Sequence, residues 1–84
     1  MSFRDLEQQH SLKPMQRCCA KALYNHITNM IENHQVENGL QILEILSLNP
    51  IFHMYTPEYR VRVRDVATGC EYVTSYYTPV SLRC

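Results

Sequence analysis

Residues 59–78 constrain this chain more than any other stretch. They read Tyr-Arg-Val-Arg-Val-Arg-Asp-Val, then Ala-Thr-Gly, then Cys-Glu-Tyr-Val-Thr-Ser-Tyr-Tyr-Thr. Alternation of this kind, rich in Val, Tyr and Thr, has the period of a strand with two unlike faces. Two such runs around a Gly-containing break predict a β-hairpin. With Ala67, Thr68 and Gly69 as the loop, Val66 pairs with Cys70, Arg64 with Tyr72, Arg62 with Thr74 and Arg60 with Tyr76. One face then carries Arg60, Arg62 and Arg64 among Tyr72, Thr74 and Tyr76. The other carries Val61, Val63, Val73 and Tyr77, and needs a core to cover. A register shifted by one residue would set the arginines on the Val73 side, so the expectation is against it.

The cover comes from upstream. Ser11 reads as a helix N-cap, and Pro14 suits a first turn because its missing N–H would have had no partner there. Met15, Cys19, Ala22, Leu23, Ile27, Met30 and Ile31 recur at helical spacing, with Arg17, Lys21, Asn25, Thr28 and Glu32 opposite. This predicts an amphipathic helix ending near Asn33 or His34, its stripe facing the core. Residues 1–10 offer only Phe3 and Leu6 as an apolar face behind a Ser2 cap, and read as a loosely ordered arm.

Asn38-Gly39 is a strong turn signal. The segment after it, residues 40–48, reads Leu-Gln-Ile-Leu-Glu-Ile-Leu-Ser-Leu. As a strand it puts Leu40, Ile42, Leu46 and Leu48 on one face, interrupted by Glu44; its Leu-rich composition also suits a helix. The firm Gly39 and Asn49-Pro50 boundaries favour the strand. A second helix would instead give a helical hairpin capped by the β-hairpin. Residues 51–55 read as a further strand, 56–58 as a turn and 79–84 as a C-terminal tail. The expected fold class is α+β: one long amphipathic N-terminal helix packed on a small antiparallel sheet of three to four strands ending in a β-hairpin, all in a single small domain spanning 1–84.

Several chemistries find little support. Four cysteines and four histidines are present, but a structural zinc site wants close Cys pairs that leave one turn together. Cys18 and Cys19 are adjacent and point to different sides of a helix, Cys70 and Cys84 stand alone, and His26 and His34 have no third ligand nearby. No metal and no cofactor are expected. With no secretory-leader pattern ahead of them, the cysteines read as free thiols of an intracellular protein, in cytoplasm or nucleus, not secreted. Cys18, beside Arg17 and one turn from Lys21, has no histidine placed to act on it as a base. Paired carboxylates are absent, and the two glycines leave no Gly-rich phosphate loop. The chain is therefore not expected to be an enzyme, and no apolar run is long enough to span a membrane.

Binding remains. Basic and acidic residues balance, eight against eight, so attraction to nucleic acid would need a local patch, and copies repel one another little. The candidate binding residues are Arg60, Arg62, Arg64, Tyr72 and Tyr76. On one sheet face, arginines would clamp phosphates while rings stack on bases; the plainer alternative is a solvated face with arginine stems lying over tyrosine rings. A groove that tracks nucleic acid usually brings more arginines and a positive net charge. The expected function is a non-enzymatic protein–protein interaction module, self-associating into a homo-oligomer. RNA or single-stranded DNA binding through the Arg/Tyr face is the alternative.

The run Gln35-Val36-Glu37-Asn38-Gly39-Leu40, with Glu44-Ile45 and Asn49-Pro50, resembles a stretch of plant DNA-virus replication-enhancer proteins. It covers a small part of the chain, and the flanking segments do not match. The resemblance implies a compact accessory protein of viral type.

Overall fold

The computed structural model describes residues 2–50 and 57–77. The elements run α1 (Phe3–Glu7), α2 (Pro14–Glu32), β1 (Val36–Glu37), β2 (Leu40–Pro50), β3 (Pro57–Asp65) and β4 (Glu71–Tyr76). The four strands form one antiparallel sheet in chain order, and the helices lie on one of its faces. The α+β expectation holds, and residues 40–48 belong to a strand rather than a second helix. The strand expected over 51–55 and the tail over 79–84 lie outside the described residues.

Helix α2 buries Gln16, Ala20, Leu23, Ile27 and Met30. These positions follow a spacing of four and three, a single narrow seam. Its C-terminal half lies as the periodicity predicts. At the other end the seam is turned by one position: Met15 is exposed, Cys19 is half-buried, and Gln16 and Ala20 face inward. Gln16 is tolerated there because its Oε1 accepts the N–H of Lys13 at 3.0 Å, serving a donor that the first turn leaves unpaired. Lys13, not Ser11, is the N-cap. Beyond Asn33, His34 takes a left-handed conformation (φ 53°). Its N–H donates to Ile31 O while that of Gln35 donates to Met30 O, a Schellman closure.

The expected loose arm is packed. Ser2 and Asp5 form a capping box at the start of α1, Leu6 is fully buried, and the Phe3 ring sits 5.6 Å from that of Tyr24. Glu7 pairs with Arg17 at 2.6 Å, and His10 Nε2 donates to Leu48 O at 2.7 Å. The apolar pair Phe3 and Leu6, small as it is, finds a place over the sheet.

Asn38 and Gly39, both at positive φ, make the two-residue turn joining β1 to β2, with Glu37 opposite Leu40. This type I′ geometry matches the twist of the flanking strands. Strand β2 then does something simple alternation does not describe. Ile42 lies opposite Val63, Ile45 opposite Val61 and Leu48 opposite Tyr59, so a spacing of three on β2 meets a spacing of two on β3. Register shifts between Ile42 and Glu44 and between Ile45 and Ser47 absorb the difference, with Leu43 and Leu46 as the extra residues of two bulges. The polar members follow the same spacing: Gln41 opposite Arg64, Glu44 opposite Arg62, Ser47 opposite Arg60. The core comprises Leu6, Ala20, Leu23, Ile27, Met30, Ile42, Leu48, Tyr59, Val61 and Val63. The buried Tyr59 hydroxyl donates to Ala20 O at 2.6 Å, pinning β3 to the middle of α2.

Candidate interaction surface on the sheet

The β3–β4 hairpin forms, but in the register that the sequence argument set aside. Val61 lies opposite Thr74, Arg62 opposite Val73, Val63 opposite Tyr72 and Arg64 opposite Glu71. The loop causes the shift. Asp65 N–H donates to Cys70 O at 2.8 Å, and Gly69 N–H donates back to Asp65 O at 2.7 Å. The Asp65 carboxylate also accepts the Ala67 N–H at 2.9 Å. Asp65 and Cys70 thus close a loop one residue longer than Ala67-Thr68-Gly69, and Val66 becomes an exposed loop residue. Gly69 supplies the positive φ (78°), as expected.

A shift of one residue exchanges the faces of β4 against β3. Arg60, Arg62 and Arg64 share their face with Glu71, Val73 and Ser75, while Tyr72, Thr74 and Tyr76 share the face of Val61 and Val63. The five candidate binding residues are therefore split between the two faces. Tyr76 is half-buried, its hydroxyl 3.6 Å from Met30 Sδ, and burial followed by the nearby Glu37 charge raises its pKa. Tyr72 is exposed at the sheet margin, and so are Val73 and Tyr77, which the alternation had placed in the core. No charge is forced inward, because Val73 moves out to meet Arg62.

Two of the three arginines, Arg62 and Arg64, are paired with carboxylates. Arg62 Nε lies 2.8 Å from Glu44 Oε1 on β2, and its Nη1 lies 2.5 Å from Glu71 Oε1 on β4. Arg64 Nη2 reaches Glu71 Oε2 at 3.1 Å. Hydrogen bonds from Arg64 and Arg62 hold the Glu71 pKa below its ordinary value, and the bond to Glu44, ahead of that to Glu71, raises that of Arg62. Glu58, on the same face, accepts from Ser75 Oγ at 2.6 Å. Arg62 and Arg64 are thus tied to Glu44 and Glu71, while Glu58 is held by Ser75. The bulge residues Leu43 and Leu46 are half-buried and stand apart from the core cluster.

Sequence reasoning missed Glu44 and Glu71 as members of this cluster. Glu44 had the one usable signal, as the charge interrupting an apolar strand.

Cys18 is disulfide-bonded, which overturns the free-thiol expectation for that residue. Successive helix positions point about 100° apart, so one of an adjacent pair can be bridged while its neighbour stays reduced. Cys19 and Cys70 are free, and Cys84 lies outside the described residues. Among the described residues, no three His, Cys, Asp or Glu side chains are grouped to hold a metal ion. No helix there is long and apolar enough to cross a membrane. Neither a family model, nor a curated protein, nor a solved structure matches this chain.

Proposed function

We propose that this chain is a non-catalytic protein-interaction module that binds through the sheet face turned away from its helices, and that a second copy is among its partners. The observation that carries this is Arg62, held between Glu44 and Glu71. A nucleic-acid surface needs uncompensated cations and rings on one face. Here Arg62 and Arg64 are paired with carboxylates, and Tyr72 and Tyr76 lie on the other face. Arginines organised by carboxylates beside the exposed Val73 have the mixed polar and apolar character of a protein interface. The likeness to replication-enhancer proteins falls on the β1–β2 hairpin and accords with an accessory role.

Light scattering with and without single-stranded RNA and DNA tests this reading. The expected result is a mass above that of the monomer, insensitive to salt, and no nucleic-acid complex. A complex that weakens steeply with salt would overturn it in favour of phosphate binding.

A further inference from the structure

We propose, building on the interaction reading above, that the outer edge of β4 pairs antiparallel with β4 of a second copy, joining the two sheets into one. The two edges of the sheet are unlike. On one side, β2 carries both bulges and is met at its start by the two residues of β1. Bulges and short edge strands are the usual means of discouraging pairing with another chain. On the other side, β4 pairs with β3 in unbroken register from Glu71 to Tyr76, with no bulge, no proline and no lysine. Its residues, Glu-Tyr-Val-Thr-Ser-Tyr, favour extended structure, and among the described residues no strand pairs with its outer edge.

The available groups follow from the ladder. The bond from Asp65 N–H to Cys70 O marks that pair as hydrogen-bonded. Alternation then turns the N–H and C=O groups of Tyr72, Thr74 and Tyr76 toward β3, and those of Glu71, Val73 and Ser75 outward. A second β4 meets these outward groups with its own. A two-fold axis perpendicular to the sheet through Thr74 sets Val73 against Ser75 of the other copy as bonded pairs. It also sets Tyr72 against Tyr76 and Thr74 against Thr74, cross-strand pairs of favourable type. The one charge on the strand, Glu71, lies at its end, so antiparallel pairing keeps the two copies' carboxylates apart. Parallel pairing in register would bring them together. The occupant is thus a second copy, and both copies' helices lie on the same side.

Sedimentation equilibrium of the full chain tests this, comparing wild type with Val73→Pro. Proline at this site removes an outward donor and spares the β3 ladder. The expected result is a wild-type dimer and a variant with unchanged circular dichroism that dissociates about tenfold more readily or more. Amide hydrogen exchange on wild type provides a second reading that does not depend on the variant folding. Val73 and Ser75 should gain protection as concentration rises, with Tyr72 and Thr74 protected throughout. A dimer that persists in Val73→Pro, or exchange at Val73 and Ser75 that ignores concentration in a dimer, would overturn the edge pairing and leave the interaction reading standing. A wild type monomeric at every concentration would overturn self-association itself.

Discussion

Tyr59 concentrates more of the fold in one side chain than any other residue. It is fully buried, stands over Leu48, and hydrogen-bonds a carbonyl in the middle of α2. Tyr59→Phe keeps the ring and removes only the hydroxyl bond, so a loss of about 1 kcal/mol is expected from denaturant midpoints. Truncation to Ala should cost about 3–5 kcal/mol, the range for a buried aromatic. Burial, with a smaller contribution from Tyr24, raises the Tyr59 pKa well above its ordinary value of 10.0. Below that value the hydroxyl is neutral in both folded and unfolded chains. Above it the unfolded chain releases the proton first, so stability falls as pH rises from about 10 toward the folded value. Chemical denaturation at a series of alkaline pH values should show this decline, and Tyr59→Phe should flatten it. An equal slope in both proteins would mean that another tyrosine is responsible.

Among the elements, α1 and β2 depart most from simple expectation. Leu6 is as deeply buried as any residue of α2, so Leu6→Ala should cost about 2–5 kcal/mol, as Leu23→Ala should. Met15→Ala, on the exposed side of α2, should change stability within about 0.5 kcal/mol. A small effect at Leu6 with a large one at Met15 would reverse the seam described above. In β2 the bulges make a sharper prediction. Removing Leu43 leaves Ile42, Glu44 and Ile45 in plain alternation, inward, outward, inward. The Leu43 deletion should therefore fold, with near-native dispersion in an NMR spectrum. Deleting Arg62 from β3, where no bulge absorbs the change, should flip half the strand and prevent folding.

Over the molecule as a whole, both helices and the two central strands share one hydrophobic cluster. A cluster of this kind has no part that melts separately, so unfolding should be a single transition. Far-ultraviolet ellipticity and tyrosine fluorescence should give one midpoint in urea, and two separated midpoints would show that α1 detaches first. Val63→Asp would place a carboxylate at the centre of the cluster, and the chain should fail to fold. Thiol reactivity should follow the same division. The exposed Cys70 should be modified quickly in the native protein, and the half-buried Cys19 slowly.

Local pattern by itself determined the existence of α2 and of the hairpin, and the α+β class that follows from them. Periodicity at 3.6 and at 2 marks which residues must leave water, whatever they pack against. The I′ turn at Asn38-Gly39 was legible for a similar reason, since positive φ at two successive residues is a local demand. What only the tertiary structure decided was register. The hairpin slipped by one because the Asp65 carboxylate and the Gly69 N–H close a longer loop, an energy that alternation does not contain. That slip split the arginines from Tyr72 and Tyr76 and delivered Glu71 to Arg62 and Arg64. In β2 the boundaries favoured a strand, but plain alternation grouped Leu46 with Leu40, Ile42 and Leu48. The spacing of three at Ile42, Ile45 and Leu48 showed only with β3 beside it, because a bulge is a property of two strands together. Leu6 entered the core for the same kind of reason: its environment is made by α2 and the sheet, which residues 1–10 do not encode.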